Sequence, residues 1–554
     1  MTAAALLDSL ETLADAPGGI DHLRELVLHL AVRGRLVTQD PANEPASVLV
    51  DRIGASGAVE PCRVLKPIES AGLPEIPATW QWVRLREIVN LNVGKTPSTK
   101  NSQYWADEGG IPWVSIGDME HYGFVTSTAK HISPKAQEEV FRTDPVPHDT
   151  LLMSFKLTIG KVARLDCDAF HNEAIVSVLP GEGEMKEYLF RLLPVFAALG
   201  KTKAAIKGNT LNKTSLANIP VAVPPLEEQH RIVARVDELM ALLDRLEAAK
   251  EARDATRAQL RDAALAALQD ANGAEEVKTA WSRIADHMHD LFTDPADIPP
   301  LRQSILRLAT RGRLVAQDPL DEPPQIDLKA AKKLKREGLW SPSWVVDAPT
   351  QWARCPMACL GTWGSGGTPK KGNHDYYDGD IPWLKIADLN DGLVQHAETH
   401  ITKRGLEDSS ARMIPTGAVL LAMYGSIGKS GIAGIECCSN QAIAHCVPDD
   451  RAISASYLFR LIVSLREELL AQGKGGAQQN ISQTVIKHLE VAVPPLQEQR
   501  RIVARVDELM ALLDRLEASL SDLRATREAF ATSAVRALPE HGVEAPAEGA
   551  ITVG

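Results

Sequence analysis

The chain has 554 residues, which is too long for a single hydrophobic core and favours two to four domains. Its 44% hydrophobic and 24% charged residues are ordinary for a folded protein and argue against wholesale disorder. The net charge of −12 argues against a protein that binds DNA nonspecifically through an overall positive surface, although it leaves local DNA contacts open.

The start of the chain carries no recognisable targeting signal. Residues 1–13 lack a basic segment and contain Asp8 and Glu11, and no run of about eighteen apolar residues follows. The seven cysteines form no Cys-x-x-Cys pair, so zinc-ribbon spacing is missing and reduced thiols are expected. These features predict a cytoplasmic protein with no metal site.

An internal repeat organises the chain. Residues 23–41 (LRELVLHLAVRGRLVTQDP) return as residues 301–319 (LRQSILRLATRGRLVAQDP). Residues 221–248 return as residues 491–518 with only two differences. Each half is therefore predicted to consist of a leading segment, a variable middle domain and a long helix.

The variable middles are predicted to be mixed α+β domains, each preceded by a Pro- and Gly-containing linker, at 43–77 and 320–349. Short apolar runs bounded by Gly, Pro or Asp indicate strands. Such runs lie at 111–116, 146–153, 174–179, 419–423 and 442–447. Helical stretches are predicted at 187–198 and 455–471.

The near-identical segments 221–248 and 491–518 are predicted to be helices, with Pro225 and Pro495 near their starts. Apolar residues follow spacings of four, three, four and three residues, which is a heptad seam. The seam residues are Ile232, Val236, Leu239, Leu243 and Leu246 in the first copy, and Ile502, Val506, Leu509, Leu513 and Leu516 in the second. We expect the two helices to pair as an antiparallel coiled coil; two separate helices on separate cores remain the alternative.

The two middle domains differ between shared short motifs. GKTP or GGTP opens each domain, an IPW motif follows, and IGK and N(E/Q)AI come later, before the shared VPPL-x-EQ helix. In this order the chain resembles the specificity subunit of a type I restriction–modification system over nearly its whole length. The resemblance implies an α+β fold with two mixed α/β target-recognition domains in tandem, joined by two long antiparallel coiled-coil helices.

The resemblance also implies the division of the chain. The expected segments are an N-terminal helical segment (1–42), target-recognition domain 1 (43–220), long helix 1 (221–272), the helical segment and linker of the second repeat (273–342), target-recognition domain 2 (343–490), long helix 2 (491–538) and a disordered tail (539–554).

Function and partners follow from the same resemblance. Each domain would recognise one half of a split, asymmetric sequence in double-stranded DNA, and the helices would set the spacing. Two copies of a modification subunit would use S-adenosylmethionine to methylate adenine, and a motor–nuclease subunit would use ATP and Mg²⁺. This chain itself would hold no cofactor.

Sequence motifs for chemistry are missing from the chain. Phe155 and Met423 stand where a phosphate-binding loop needs its first glycine, and no Gly-x-Gly-x-x-Gly opens a strand–helix unit. No Pro-Pro pair fits the Asn/Asp-Pro-Pro-aromatic loop of an amino-methyltransferase. We therefore expect a non-catalytic subunit. The alternatives are an enzyme that carries both activities, a member of a modification-only complex, and a coiled-coil scaffold that does not bind nucleic acid.

Candidate DNA-binding residues lie in the Gly-rich turns and in polar loops, where hydroxyls, amides and amines could meet phosphates and base edges. In the first domain they are Lys95, Thr96, Ser98, Lys156, Thr158, Lys161, Lys201, Lys207, Asn209 and Lys213. In the second they are Thr368, Lys370, Lys371, Tyr424, Ser426, Lys429, Lys474, Gln478, Gln479 and Asn480. Trp113 and Trp383 are predicted to be core residues, whereas Asn172 and Asn440 could either contact DNA or tie a turn.

Overall fold

The chain divides into two compact units. The first unit comprises Met1–Ala252 and Arg524–Gly554, and the second comprises Arg253–Leu523. The first is therefore built from two stretches of chain that are far apart in sequence. The computed structural model describes residues 13–68, 72–106, 109–199, 203–205, 208–271, 273–334, 338–473 and 479–541.

The first unit mixes helices and strands. Its helices are α1 (Gly19–Ala31), α2 (Ala46–Ser56), α3 (Leu85–Ile88), α4 (Pro134–Ala136), α5 (Met185–Ala198), α6 (Lys213–Ala217) and the first part of α7 (Leu226–Asp270). Its strands are β1 (Gln81–Arg84), β2 (Val89–Val93), β3 (Trp105–Ala106), β4 (Ile111–Val114), β5 (Gly123–Val125), β6 (Lys130–Ile132), β7 (Leu151–Ser154), β8 (Val162–Leu165), β9 (Phe170–His171), β10 (Ile175–Pro180), β11 (Lys203–Ala205), β12 (Gly208–Thr210) and β13 (Pro220–Val223).

The second unit repeats this order. Its helices are the end of α7, α8 (Ala274–Asp286), α9 (Met288–Leu291), α10 (Ile298–Thr310), α11 (Lys403–Glu407), α12 (Ala455–Ser464), α13 (Arg466–Ala471), α14 (Gln483–Lys487) and the first part of α15 (Leu496–His541). Its strands are β14 (Ala353–Pro356), β15 (Gly361–Ser365), β16 (Tyr377–Leu384), β17 (Leu393–Val394), β18 (Thr399–Ile401), β19 (Val419–Ala422), β20 (Ser430–Ala433), β21 (Cys438–Ser439), β22 (Ile443–Pro448) and β23 (Glu490–Val493).

The two units share one sheet topology. A five-stranded sheet has the order β2-β10-β7-β8-β5 in the first unit and β15-β22-β19-β20-β17 in the second. In each sheet the last two strands of this order, β8 with β5 and β20 with β17, run parallel. All other neighbouring strands run antiparallel. The expected mixed fold in two tandem domains is thus confirmed. The predicted strands are present with bounds that differ by one or two residues, except that the strand predicted at 146–153 begins only at Leu151.

In each variable domain a short two-stranded sheet pairs the first strand with the last strand. Residues 221–223 were predicted to start the long helix, but they form strand β13, which pairs antiparallel with β1. In the second unit β23 pairs with β14 in the same way. The prediction was wrong here because two consecutive prolines, which a helix interior does not tolerate, follow each strand and delay the helix. The long helices begin at Leu226 and Leu496.

The linker predicted at 43–77 contains a packed helix. α2 occupies Ala46–Ser56 and buries Ala46, Leu49 and Ile53 in the core of the first domain. Its apolar residues recur at helical spacing, and this pattern is obscured in the sequence by the surrounding Pro and Gly residues. This segment is therefore part of the domain.

The heptad seam packs within each unit. Ile232 and Val236 are buried in the core of the first domain, and Leu243 packs in a cluster with Leu13, Leu26 and other residues of the first unit. In the second unit the core contains the buried seam residues Ile502, Val506, Leu509 and Leu513. Leu239, Leu246 and Leu516 are partly buried. These side chains anchor each helix on its own domain, and pairing of the two helices stays a prediction.

A second set of duplicated contacts joins the leading segment of each half to the first turn of its long helix. We call Gly34, Gln39 and Glu228 the first clasp. The Gln39 amide nitrogen donates to the Gly34 carbonyl oxygen at 3.1 Å and to Glu228 Oε1 at 2.6 Å. Glu228 is buried, and this burial raises the pKa of its carboxyl.

The second clasp consists of Gly312, Gln317 and Glu498. The Gln317 amide donates to the Gly312 oxygen at 3.3 Å and to Glu498 Oε1 at 2.7 Å, and Trp352 Nε1 donates to Glu498 Oε2 at 3.0 Å. Gly312 has a φ of 72°, and a Cβ there would lie 2.5 Å from Pro349. The repeated glycine, glutamine and glutamate of the two clasps therefore have a structural explanation.

An arginine of each leading helix also binds its long helix. Arg24 Nη2 lies 2.7 Å from both Asp244 Oδ1 and Glu247 Oε2. Arg302 Nη2 lies 2.6 Å from Asp514 Oδ1 and 2.8 Å from Glu517 Oε2. In both units one guanidinium nitrogen thus bridges two carboxylates of the long helix and holds α1 on α7 and α10 on α15.

Candidate nucleic-acid interface

Four loops meet at one edge of the five-stranded sheet in the first unit. One follows β2, one joins β7 to β8, one joins β9 to β10, and one follows β12. Because β10 runs antiparallel to β2 and β7, the ends of those two strands lie beside its start. We call residues 94–98, 154–161, 171–174 and 211–213 the first loop cluster.

Main-chain hydrogen bonds hold these loops together. The Lys95 nitrogen donates to the His171 oxygen at 2.9 Å, and the Phe155 nitrogen donates to the Ala174 oxygen at 2.9 Å. The Leu211 nitrogen donates to the Phe155 oxygen at 3.0 Å. These bonds use only backbone groups, so the frame of the cluster does not depend on the side chains at its surface.

The second unit builds the same frame from residues 366–371, 422–429, 439–442 and 479–481, which we call the second loop cluster. The Gly367 nitrogen donates to the Ser439 oxygen and the Met423 nitrogen to the Ala442 oxygen, both at 2.8 Å. The Ile481 nitrogen donates to the Met423 oxygen at 2.9 Å. All three bonds have a counterpart in the first cluster.

A side-chain hydrogen bond connects the opening loop to the N(E/Q)AI loop in both clusters. The Thr96 hydroxyl donates to Glu173 Oε2, and the Thr368 hydroxyl donates to Gln441 Oε1. The hydrogen bond from Thr96 is the main cause of the lowered pKa of the Glu173 carboxyl. The two domains therefore present a carboxylate and a neutral amide at matching positions.

Three of the predicted lysines already have carbonyl partners. Lys95 Nζ lies 3.0 Å from the Val140 oxygen, and Lys161 Nζ lies 3.3 Å from the Ile116 oxygen. Lys429 Nζ lies 3.2 Å from the Ile386 oxygen. Their amines thus stabilise the loops by hydrogen bonds to main-chain carbonyl oxygens. A contact between one of these amines and DNA would have to share or replace such a bond.

The remaining described candidates carry polar groups at the surface. Lys156 is partly exposed, with Nζ lying 5.5 Å from the centre of the Phe155 ring. Tyr424 is exposed and forms an isolated antiparallel bridge with Asn480. Exposed candidates also include Ser98, Thr158, Lys213, Lys370, Lys371, Ser426 and Gln479. The structure thus brings candidates from separate loops onto one edge in each domain.

Some candidates cannot be placed. Lys201, Lys207, Lys474 and Gln478 lie outside the described residues, as does most of the tail predicted at 539–554. Asn209 belongs to β12, but its side chain is not described. Lys213 begins α6, which Asn212 caps by accepting a hydrogen bond from the Ser215 nitrogen at 2.7 Å.

Two pairs of residues turn out to support the cluster. Trp113 and Trp383 are buried, and their indole nitrogens donate to the oxygens of Lys95 and Gly367 at 3.0 and 2.9 Å. The prediction that they are core residues is confirmed. Asn172 Oδ1 accepts from the Ala174 nitrogen at 3.0 Å, and Asn440 ties the corresponding turn, so each asparagine has a structural role.

Three residues of the loop clusters were not predicted from the sequence: Leu157, Glu173 and Gln441. Glu173 and Gln441 each follow the asparagine of the N(E/Q)AI motif. The difference between acid and amide at this position could have been noticed by comparing the two halves of the sequence. Leu157 is 55% exposed and has a φ of 69°. Its counterpart in the second half is Gly425, and this mismatch beside the shared IGK motif was also visible in the sequence.

Within the described ranges, no group of three or more His, Cys, Asp or Glu side chains is placed to hold a metal ion. Among the helices of the same ranges, none is both long and apolar enough to cross a bilayer. The seven cysteines are free thiols, and five of them are buried.

The chain is similar to known proteins over most of its length. The family model described as the type I restriction modification DNA specificity domain matches residues 77–253 and 358–522. The chain is 26% identical to the EcoEI and EcoAI specificity subunits of type I restriction enzymes from Escherichia coli, covering 92% of this chain and 92% of each relative. A crystal structure of the HsdS subunit from Thermoanaerobacter tengcongensis aligns with 86% of this chain and 99% of its own, at 19% identity and a TM-score of 0.42.

Proposed function

Because the chain belongs to the family defined by the type I restriction modification DNA specificity domain, we propose that it is the recognition subunit of such a system. In this proposal each variable domain recognises one half of a bipartite, asymmetric DNA target through its loop cluster. Partner subunits carry out adenine methylation and, where a motor–nuclease subunit is present, cleavage. This chain contributes recognition and no chemistry.

One observation carries the proposal: two loop clusters have the same backbone frame and different surface side chains. Lys156 of the first domain corresponds in position to Tyr424 of the second, and Glu173 corresponds to Gln441. Base identity is recognised through the donors, acceptors and apolar groups that side chains offer in the DNA grooves. Two domains with one frame and different side chains are therefore suited to two different half-sites.

The second cluster offers the clearer phosphate anchors. Lys370 and Lys371 are exposed, and the described residues provide neither of them with an ion pair. Tyr424 and Asn480 pair with each other in the same loop cluster and can donate to or accept from base edges. Phosphate contacts set position, whereas base contacts set sequence, so we assign these two pairs to different roles.

The spacing between half-sites is assigned to the long helices. α7 has 45 residues and α15 has 46, which corresponds to about 68 Å each at 1.5 Å per residue. Paired antiparallel, they would fix the distance between the two domains. Half-sites about 10 base pairs apart, centre to centre, are expected by analogy with dimeric DNA-binding proteins.

The partner surfaces are assigned to the two clasps and the helices beside them. These regions are nearly identical in sequence and in contacts, as the matching arginine and glutamine bonds show. Two copies of one modification subunit would meet equivalent surfaces there. The expected complex therefore contains one copy of this chain and two modification subunits.

The proposal is tested by mapping methylated adenines in a host with and without the gene, using single-molecule sequencing. We expect one bipartite, non-palindromic motif that depends on this chain. The double variant Lys370→Ala/Lys371→Ala should reduce methylation at this motif, whereas Lys329→Ala/Lys332→Ala, in the preceding linker, should not. A continuous motif, or methylation independent of the chain, would contradict the proposal.

A second experiment tests the helical spacer. Inserting four residues into each long helix, beyond the buried seam residues, adds about 6 Å to each. If the helices set the spacing, the unread segment of the motif should lengthen by about two base pairs. An unchanged motif would contradict the role of the helices and leave half-site recognition intact. Binding of S-adenosylmethionine by the purified chain alone would instead favour an enzyme.

A further inference from the structure

A three-residue turn forms the tip of the loop between β7 and β8 in the first domain. The Thr158 nitrogen donates to the Lys156 oxygen at 2.9 Å, and Leu157 between them has a φ of 69°. The second domain has the same turn: the Ser426 nitrogen donates to the Tyr424 oxygen at 2.7 Å, and Gly425 also has a φ of 69°. The tip is thus a γ-turn with a positive central φ in both domains.

This turn suits glycine and disfavours leucine. A γ-turn with a positive central φ is rare and strained, and a β-carbon adds steric conflict that glycine does not have. The second domain uses the residue that the backbone prefers. The first domain has leucine at this position, although the backbone conformation of the turn favours glycine.

Burial does not offset this strain. The Leu157 side chain is 55% exposed, and it belongs to none of the buried clusters of the first unit. Its neighbour Phe155 is by contrast 1% exposed and anchors the loop in the core. Strained residues that the fold does not need are concentrated at functional sites, which points to a ligand as the reason for this leucine.

The tip is held in a fixed position. The Ser154 hydroxyl donates to the Thr158 oxygen, and the Gly160 nitrogen donates to the Ser154 oxygen at 2.9 Å. Ser154 is fully buried, so these bonds tie the tip to the sheet. The apolar side chain therefore stands between the polar residues Lys156 and Thr158 at a defined place on the first loop cluster.

We propose that Leu157 is a specificity-determining residue that contacts the 5-methyl group of a thymine in the half-site of the first domain. This inference rests on the proposed function. A methyl group is the apolar feature by which thymine differs from cytosine at the major-groove edge, and it is read by apolar contact. Because Leu157 is only about half exposed, a shallow contact with a methyl group suits it better than insertion between base pairs.

The second domain lacks this contact, since Gly425 has no side chain. Its half-site is therefore recognised at the corresponding point by polar groups such as Tyr424 and Ser426. Adenine methylation in both halves would give each half-site at least one A·T pair, so a thymine is available for the first domain under the proposed function.

The experiment uses the full chain purified with its modification subunit and duplexes that carry the mapped target. Each thymine is replaced in turn by deoxyuridine, which removes only the methyl group. For the unmodified chain, one replacement in the half-site of the first domain should weaken binding about fourfold to tenfold. For Leu157→Gly the intact target should bind more weakly by the same factor, and deoxyuridine should have no further effect.

Two variants separate recognition from folding. Leu157→Gly introduces the residue of the second domain, and Leu157→Asn keeps the branched shape with a polar group that tolerates a positive φ. Both should unfold at the same temperature as the unmodified chain or higher, because each relieves strain. Leu320→Gly, at a leucine that is 88% exposed outside the loop clusters, should leave binding unchanged.

Three outcomes would overturn the inference: Leu157→Gly binds the target like the unmodified chain, deoxyuridine weakens the variant as much as the unmodified chain, or the variant loses affinity equally for unrelated duplexes. An equal loss for unrelated DNA would indicate a general contact. If the unmodified complex itself does not prefer the mapped target, the proposed function fails first, and that result is read from a separate control.

Discussion

The clasps and the loop clusters are both duplicated, but the two regions have kept different features. In the clasps the same side chains make the same bonds, as in Gln39 with Glu228 and Gln317 with Glu498. In the loop clusters the backbone bonds are repeated, whereas the exposed side chains differ. A region whose contacts run through side chains resists substitution, while a region framed by backbone bonds leaves its side chains free for a ligand.

The strongest test of the clasp is Gly34→Ala. Gly34 has a φ of 65°, and a Cβ there would lie 2.5 Å from Pro77, so the substitution should destabilise the first unit by about 2–5 kcal/mol. Gly312→Ala should act equally on the second unit. Hydrogen exchange in each unit measures the effect, because a protein with two units need not unfold in one step.

Gly57→Ala is the matched control for that substitution. Gly57 has a φ of 69° but no atom within 4 Å of the added Cβ, so only backbone strain of about 1 kcal/mol is expected. An equal loss for Gly34→Ala and Gly57→Ala would show that clasp packing adds nothing.

Acid should distinguish the two loop clusters. His171 is a buried residue of the first cluster, and burial lowers the pKa of its imidazole to about 4, whereas Ser439 holds this place in the second cluster. Because the unfolded chain binds the proton more readily, stability is complete above about pH 6.5 and is lost as the pH falls toward 4, by about 3 kcal/mol in total.

His171→Ser should remove this part of the acid sensitivity. The measurement is the difference in hydrogen exchange of the first unit between pH 7 and pH 5, for the variant and for the unmodified chain. His445 also has a lowered pKa because of burial and gives the second unit an acid response of its own. An unchanged pH response in the variant would mean that His171 is not the responsible group.

A smaller effect is expected from the paired arginines. Arg24 and Arg302 each bridge two carboxylates that are themselves largely exposed, so replacement by Gln should cost about 1 kcal/mol in either unit. The loss should shrink at high salt. Arg235→Gln, which breaks a pair three residues apart on one helix, should cost less than about 0.5 kcal/mol and serves as control.

The smallest change in stability is expected in the loop clusters themselves. Thr96→Val and Thr368→Val each remove an exposed hydrogen bond, so unfolding should shift by no more than about 0.5 kcal/mol. Under the proposed function each variant should relax recognition of one half-site only, which methylation mapping would detect. A large loss of stability would instead show that these hydrogen bonds stabilise the fold, as the bonds of the clasps do.

The sequence was a good guide wherever a pattern is local. Apolar runs such as 419–423 predicted strands, because a buried strand needs a short apolar stretch between turn residues. The helix at Ala46–Ser56 was missed, since linker composition obscured its three buried residues. The long helix was predicted from residue 221, and although Pro225 was recognised as lying near its start, residues 221–223 belong to β13.

Three features lay beyond the sequence for a physical reason. A heptad seam states that a helix face is apolar but does not identify its partner, and Ile232 and Ile502 pack on their own domains. The strained turn at Leu157 depends on a backbone angle, and only the contrast with Gly425 hinted at it. The loop clusters form through backbone bonds between distant segments, which side-chain patterns do not report.

The last helix has a consequence for how the protein is made. Ala531 is fully buried among Leu13, Leu30 and other residues of the first unit, so this unit lacks a part until the ribosome has produced α15. The roughly 270 residues of the second unit are translated in between, which takes on the order of 15 to 55 seconds at about 5 to 20 residues per second. During that interval the hydrophobic cluster around Leu13 and Leu30 lacks the contact that Ala531 makes in the complete chain.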